Sequence, residues 1–311
     1  MISFPLRRAS ATAALVLLFS GCGGSPQSQA TIPQTSSAVR DPAPHSKSWM
    51  KSGSSSGDLI YAVGGCGGTC VLSYPAGTLV GALNAGGNFS AICSDAAGNV
   101  FITQGGTVVE YAHGATTPTR TIVLPGGMAL GCSVDPTTND LAVVDRHQNP
   151  DSDIAVFPNE TGKPLAYLSG LNSNYCGYDG EGNLFVNGDI EEQGDGISEL
   201  PKGQSAFNTA VLMPIKVGVP GQVQWDGKQM TWEGISRGEI KISRLKVSGS
   251  QILVAGATHF RIGRGATQSW IDGSHVFIPY VSRGRNGRPN KVGVWKYPAG
   301  GKSIVSYKDF G

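Results

Sequence analysis

Short apolar runs separated by polar, glycine-rich breaks fill the chain from Ser46 to Gly311, and no window shows the 3.6-residue apolar stripe of a capped helix. That alternation predicts short β-strands joined by tight turns. Two turn patterns punctuate the strands. The first is an aspartate, a brief polar turn and an apolar strand, as in SDAAGNVFIT (Ser94 to Thr103), VDPTTNDLAVV (Val134 to Val144) and YDGEGNLFVN (Tyr178 to Asn187). Fainter copies are WDGKQMTWEG (Trp225 to Gly234) and IDGSHVFIPY (Ile271 to Tyr280). The second pattern ends a strand with an aromatic residue or leucine, then proline or alanine, and finally glycine. It runs Tyr74 to Gly77, Tyr111 to Gly114, Leu200 to Gly203 and Tyr297 to Gly300. Proline presets φ in such a turn, and glycine accepts the positive φ that reverses the chain.

The leading aspartates, Asp95, Asp135, Asp179, Asp226 and Asp272, fall at intervals of 40, 44, 47 and 46 residues. An incomplete first unit, DLIYAV (Asp58 to Val63), follows SWMK (Ser48 to Lys51), which parallels SWID (Ser269 to Asp272). Each unit holds about four strands, the content of one propeller blade. One such unit cannot bury both of its faces, so six are expected to stack around an axis. The expected fold is all-β, a six-bladed β-propeller of four-stranded antiparallel blades over residues 46–311. Seven blades or a mixed β-barrel are the alternatives. Paired sandwiches would not need one motif at a constant interval.

Composition agrees, with 45 glycines in 311 residues and only 15% charged residues. A net charge of +2 points away from nucleic acid. The N-terminus adds a location. Arg7 and Arg8 precede an apolar run, Ala11 to Phe19, that is too short to span a bilayer and ends in LFSGC (Leu18 to Cys22). Residues 1–21 read as a signal peptide with a lipobox, and Cys22 as the lipidated residue that anchors the chain to a membrane. An ordinary secretory signal or a twin-arginine signal are the other readings. Residues 22–45 form a Ser-, Pro- and Gln-rich tether with little apolar surface to bury. The expected location is the bacterial cell envelope, at the outer membrane or cell surface, with the folded part outside the cytoplasm.

The D-x-x-G-N-[LV]-F pattern at Asp95 to Phe101 and at Asp179 to Phe185 resembles the NHL and SMP-30/gluconolactonase-like propellers. The whole chain is also similar to bacterial propeller lipoproteins that carry SWM and SYPxGxLVG. The first resemblance implies a divalent metal held by carboxylates and amides at the mouth of the central channel. The innermost strands offer amides and hydroxyls instead, with Asn172, Asn174, Gln222, Gln224 and Trp270 as candidate channel lining and Glu233 as the one acidic residue. Those are poor primary ligands for a catalytic metal. No lactonase residue is therefore carried over, and no catalytic residue, metal or cofactor is assigned.

Three strand-connecting segments are long and charged, Arg146 to Asp153, Gly188 to Gly196 and Ser282 to Asn290. They are expected to form a recognition face, since loops on a rigid ring are well placed for binding. Its candidates are Arg146, Asp153, Asp189, Glu191, Glu192, Asp195, Arg283, Arg285 and Arg288. The acidic group within this set could hold Ca²⁺ but lacks an EF-hand pattern, and a solvated loop is the plainer reading. Cys66 and Cys70, in CGGTC, are expected to form a local disulfide. Cys93, Cys132 and Cys176 are expected to be small buried apolar side chains. Trp225, Trp232 and Trp270 could stack sugars, with inter-blade core as the simpler role. The expected function is a monomeric, non-catalytic scaffold for a protein or carbohydrate ligand. A secreted hydrolase or lyase of SMP-30/NHL type is the alternative, and a purely structural envelope protein is a third.

Overall fold

The computed structural model describes residues 47–87, 90–146, 153–191, 193–214, 218–236, 238–248, 251–262, 264–265, 268–281 and 291–308. Six antiparallel sheets make up this part, and they are the blades of a six-bladed β-propeller. Blade 1 contains β1 (Trp49–Met50), β2 (Leu59–Gly65), β3 (Gly68–Ser73) and β4 (Leu79–Leu83). Blade 2 is β5 (Ile92–Ser94), β6 (Val100–Gln104), β7 (Thr107–Tyr111) and β8 (Arg120–Val123). Blade 3 is β9 (Ala129–Val134), β10 (Leu141–Asp145), β11 (Ile154–Phe157) and β12 (Leu165–Tyr167). Blade 4 is β13 (Asn172–Tyr178), β14 (Leu184–Ile190), β15 (Gly194–Leu200) and β16 (Val211–Leu212). Blade 5 is β17 (Val219–Trp225), β18 (Met230–Ser236), β19 (Glu239–Ser248) and β20 (Gln251–Arg261). In blade 6, β21 (Arg264–Gly265) and β22 (Trp270–Asp272) share one edge of β23 (His275–Val281), followed by β24 (Lys291–Lys296) and β25 (Val305–Lys308). Among the described residues there is no α-helix, only 3-10 turns at Ser54–Ser56 and Pro158–Glu160.

The repeated aspartate is a turn device. Asp95 accepts the backbone N–H and the side-chain amide of Asn99 at 2.8 and 2.7 Å. Asp179 does the same for Asn183 and also takes the Glu181 N–H. Asp135 and Asp226 cap their turns from Thr137 and Thr138, and from Lys228 and Gln229. The Asp turn therefore links the first and second strands of a blade, and the Pro-Gly turn links the third and fourth. Tyr74–Pro75 and Tyr297–Pro298 are both cis peptides.

The core lies between blades, where apolar residues of alternate phase interlock. Phe101 and Val108 of blade 2 meet Leu141, Val143 and Phe157 of blade 3. Ala142, Val144 and Ile154, on the other face of blade 3, meet Cys176, Leu184 and Val186 of blade 4. A strand buried on both faces uses both of its side-chain phases, which explains the nearly continuous apolar runs.

Blade 1 departs from the other five. Its strand order is β1-β4-β3-β2, so Trp49 and Met50 pair with Ala82 and Gly81 on the outer edge. The parallel between SWMK and SWID is thus one of wording and not of position, because SWID supplies the innermost strand of blade 6. The link from β1 to β2, Lys51 to Asp58, is a serine- and glycine-rich stretch with no apolar residue for an inner strand. As a result β2, the equivalent of the second strand elsewhere, is the innermost strand of blade 1. Its inner edge pairs with no strand among the described residues.

Candidate functional site

Beside the inner edge of β2, which pairs with no described strand, lies a cavity. About 340 Å³ lies between β5, β2 and β22, lined by Leu59, Tyr61, Ile92, Val100, Trp270 and Phe277, with Asp58, Asp272 and His113 at one end. A second space of about 110 Å³ continues along β2 toward Val63, Ser90 and Gln268 and shares Tyr61, Ile92, Trp270 and Phe277 with the first. The larger space falls within the range usual for ligand pockets. Trp270 is 51% exposed, so its ring forms an apolar wall open to solvent.

Strand phase decides what β2 presents there. Tyr74 N–H donates to the Asp58 carbonyl at 2.8 Å, and the register pairs Ile60 with Leu72 and Ala62 with Cys70. Alternation then turns the main-chain N–H and C=O groups of Leu59, Tyr61 and Val63 away from β3 and toward the cavity. Side chains follow the same alternation. Ile60 and Ala62 pack on blade 6, while Leu59, Tyr61 and Val63 pack on blade 2. The Tyr61 hydroxyl accepts the Gly114 N–H at 3.0 Å, and His113 Nε2 donates to the Gly57 carbonyl at 3.1 Å.

Around this gap the ring is closed by polar links between neighbouring blades. The side-chain amide of Gln268 pairs with both the N–H (3.0 Å) and the C=O (2.5 Å) of Ile92, joining blade 6 directly to blade 2. Gln224 binds Ser269 O and Ile271 N–H between blades 5 and 6. Asn187 donates to Gly221 O between blades 4 and 5, and Ser133 accepts from Tyr178 N–H between blades 3 and 4. Blades 2 and 3 are joined covalently by a disulfide between Cys93 and Cys132. The expectation that these two cysteines are merely small apolar side chains is therefore corrected. Cys176 is a free, buried thiol whose pKa burial pushes up to about 12. Cys66 and Cys70 are also bonded to each other.

Glu233 is fully buried on β18. The Ser269 hydroxyl donates to its Oε2 at 2.6 Å, while Oε1 has no partner among the described residues. Desolvation pushes its carboxyl up to about 7, against the pull of the Ser269 hydrogen bonds. Gln222 is buried too, with no partner for its Oε1 among the described residues, while Gln224 is committed to blade 6. Asn172 is exposed at the start of β13, and Asn174 accepts from Arg146 Nη1 at 3.5 Å. Trp232 is core, whereas Trp270 is not.

The segment Gly188 to Gly196 is not a long loop. β14 and β15 run through it to a tight turn, setting Asp189 directly opposite Asp195 with Glu191 exposed beyond them. Asp153 is held by Ser169 N–H and Oγ and by Ser173 Oγ, which pins the start of β11 to the approach to β13. Among the described residues no three His, Cys, Asp or Glu side chains group to hold a metal ion. Cys22, Glu192, Arg283, Arg285 and Arg288 lie outside the described residues. Sequence reasoning missed the cavity because it depends on which edge β1 joins, a tertiary choice that leaves no local mark.

No known family profile and no curated protein matches the chain. Solved structures do. A putative TolB from Agrobacterium tumefaciens aligns at 15% identity over 71% of this chain and 82% of its own, with a TM-score of 0.54. The propeller in a nidogen/laminin complex aligns at 14% identity over 80% of this chain and 92% of its own, with a TM-score of 0.58. A Desulfotomaculum acetoxidans protein of unknown function aligns at 12% identity over 84% of each chain, with a TM-score of 0.52. At such identities the likeness is one of fold, and the fold shared is the β-propeller.

Proposed function

We propose that the chain is a non-catalytic binding module of the bacterial cell envelope, anchored by a lipid on Cys22, whose ligand site is the cavity in blade 1. The observation that carries the reading is the 340 Å³ space with an exposed tryptophan wall on an otherwise closely linked ring. Two disulfides support an oxidising compartment. A propeller of similar fold is found in a nidogen/laminin complex, a precedent for partner binding.

The test is a photo-crosslinking residue at position 270 in the native envelope, compared with one at Val123, which is 73% exposed on β8 of blade 2. Adducts specific to position 270 are expected, together with loss of membrane association in Cys22→Ala. Equal labelling at both positions would remove the case for the cavity, and unchanged fractionation would remove the anchor. The alternative, a hydrolase or lyase of SMP-30/NHL type, would centre on Glu233, whose carboxyl burial moves into the range of a general acid. Divalent metal retained by the purified protein would favour it.

A further inference from the structure

We infer that the vacant inner position of blade 1 receives a short extended peptide from a partner protein, added as an antiparallel strand to β2 and bearing a basic side chain at the cavity mouth. This deepens the binding reading above and rests on it. The argument starts from hydrogen-bonding capacity. Leu59 and Tyr61 offer main-chain donors and acceptors to a space where every other blade keeps a strand. Such an edge is a template for one more strand. The flanking strands β5 and β22 are each three residues long, so the insert is about three residues between them, or about 10 Å. Tyr61, Phe277 and the open face of Trp270 would take up its apolar side chains.

Charge identifies the end of the peptide. Asp95, Asp135 and Asp179 spend their carboxylates on their own turns, and Asp226 divides its own between its turn and the Tyr297 hydroxyl. The two remaining copies, Asp58 and Asp272, flank the cavity mouth, and among the described residues their carboxylates accept no hydrogen bond. Both are exposed, and among the described residues neither lysine nor arginine lines the cavity. An incoming lysine or arginine would pair with them. Since β2 runs inward from Asp58, an antiparallel peptide places that residue at its C-terminal end.

The probe is acetyl-Thr-Val-Thr-Val-Lys followed by a glycine-linked fluorophore, titrated into the full mature chain. Controls carry glutamate for lysine, or N-methyl groups on one or the other alternate set of amides. Hydrogen exchange is followed at Leu59 and Tyr61. Binding is expected to protect both amides, and to fall about tenfold when one set of peptide amides is methylated but not when the other is. Asp58→Lys combined with Asp272→Lys, both at exposed sites, is expected to reverse the preference between the lysine and glutamate peptides. Equal effects of the two methylation patterns, or no protection of Leu59 and Tyr61 by any peptide, would overturn strand addition. If the crosslinker at position 270 still captured a partner in that case, the binding reading would survive; if it captured none, both would fall. Protection of these amides already in the unliganded chain would mean that the position is filled from within, and would also overturn the inference.

Discussion

The side-chain amide of Gln268 pairs with both main-chain groups of Ile92, 176 positions earlier, as a strand would pair with its neighbour. One glutamine thereby takes the place of the missing inner strand at one end of blade 1 and lets blade 6 reach blade 2. Each neutral hydrogen bond of this kind contributes about 1 kcal/mol net. Gln268→Ala should cost about 2 kcal/mol, read as a lowered denaturant midpoint at unchanged m-value. Gln268→Glu should cost at least as much, because a carboxylate accepts the Ile92 N–H but repels its C=O. A variant as stable as the parent would show that the ring does not close through this contact.

Glu233 gives the fold a pH dependence of defined sign. Its carboxyl is raised from 4.5 in the unfolded reference to about 7 in the folded chain, first through desolvation. Between those values the unfolded chain releases the proton while the folded chain keeps it. Stability contributed by this group is therefore full below about 4.5, declines as pH rises toward 7, and is level above, with a span on the order of 3 kcal/mol. Glu233→Gln cannot ionise and should flatten that decline. Urea midpoints of both forms at three pH values across the window provide the measurement. Parallel pH profiles for the two would be the contrary result.

The two disulfides should differ in weight. Cys93–Cys132 closes a separation of 39 residues and staples two inner strands, while Cys66–Cys70 closes a separation of four. Loop-closure entropy predicts about 4 kcal/mol for the first and about 2 kcal/mol for the second. Replacing each pair by serine and comparing thermal midpoints tests the order. Non-reducing peptide mapping should show both bridges, with Cys176 resisting maleimide until the chain unfolds, since its thiol is buried and held well above its usual pKa.

Sixfold architecture was legible because its signals are local. An aspartate that caps its own turn, as Asp179 caps Asn183, leaves the same mark in each copy wherever the blade ends up. Long-range choices left subtler marks. Cys93 sits two residues before its repeat aspartate, whereas Cys132 and Cys176 sit three before theirs. With a side-chain period of two, that offset sends Cys93 to the face opposite the other two. Facing sides of neighbouring blades need opposite phases, so the apparent inequivalence was the signature of the Cys93–Cys132 bond. Cys176, in the phase of Cys132, faces back to Gly131 and Ala142 of blade 3. The edge chosen by Trp49 and Met50, and hence the cavity, had no such signature. Two residues can pair with either side of a sheet, and only the completed ring decides between them.

The repeated Pro-Gly turn carries different loads in different blades, and glycine substitution should expose this. Gly77 and Gly203 have similar positive φ, 66° and 77°, so alanine is strained at both. At Gly203 an added Cβ meets nothing within 4 Å, and Gly203→Ala should cost about 1 kcal/mol. At Gly77 the same atom would lie 1.8 Å from Cδ1 of Tyr307, whose hydroxyl donates to Pro75 O at 2.8 Å. That tyrosine is on β25, the last strand, and the turn it covers belongs to blade 1, so the contact closes the ring on its outer side. Gly77→Ala must expel the ring and should cost about 2 to 4 kcal/mol. A double-mutant cycle with Tyr307→Ala separates strain from contact. If expulsion of the tyrosine is the cause, most of the Gly77→Ala penalty vanishes in the Tyr307→Ala background, leaving a residue close to that of Gly203→Ala. A penalty that stays the same would place the cost in the backbone alone and leave the outer closure without support.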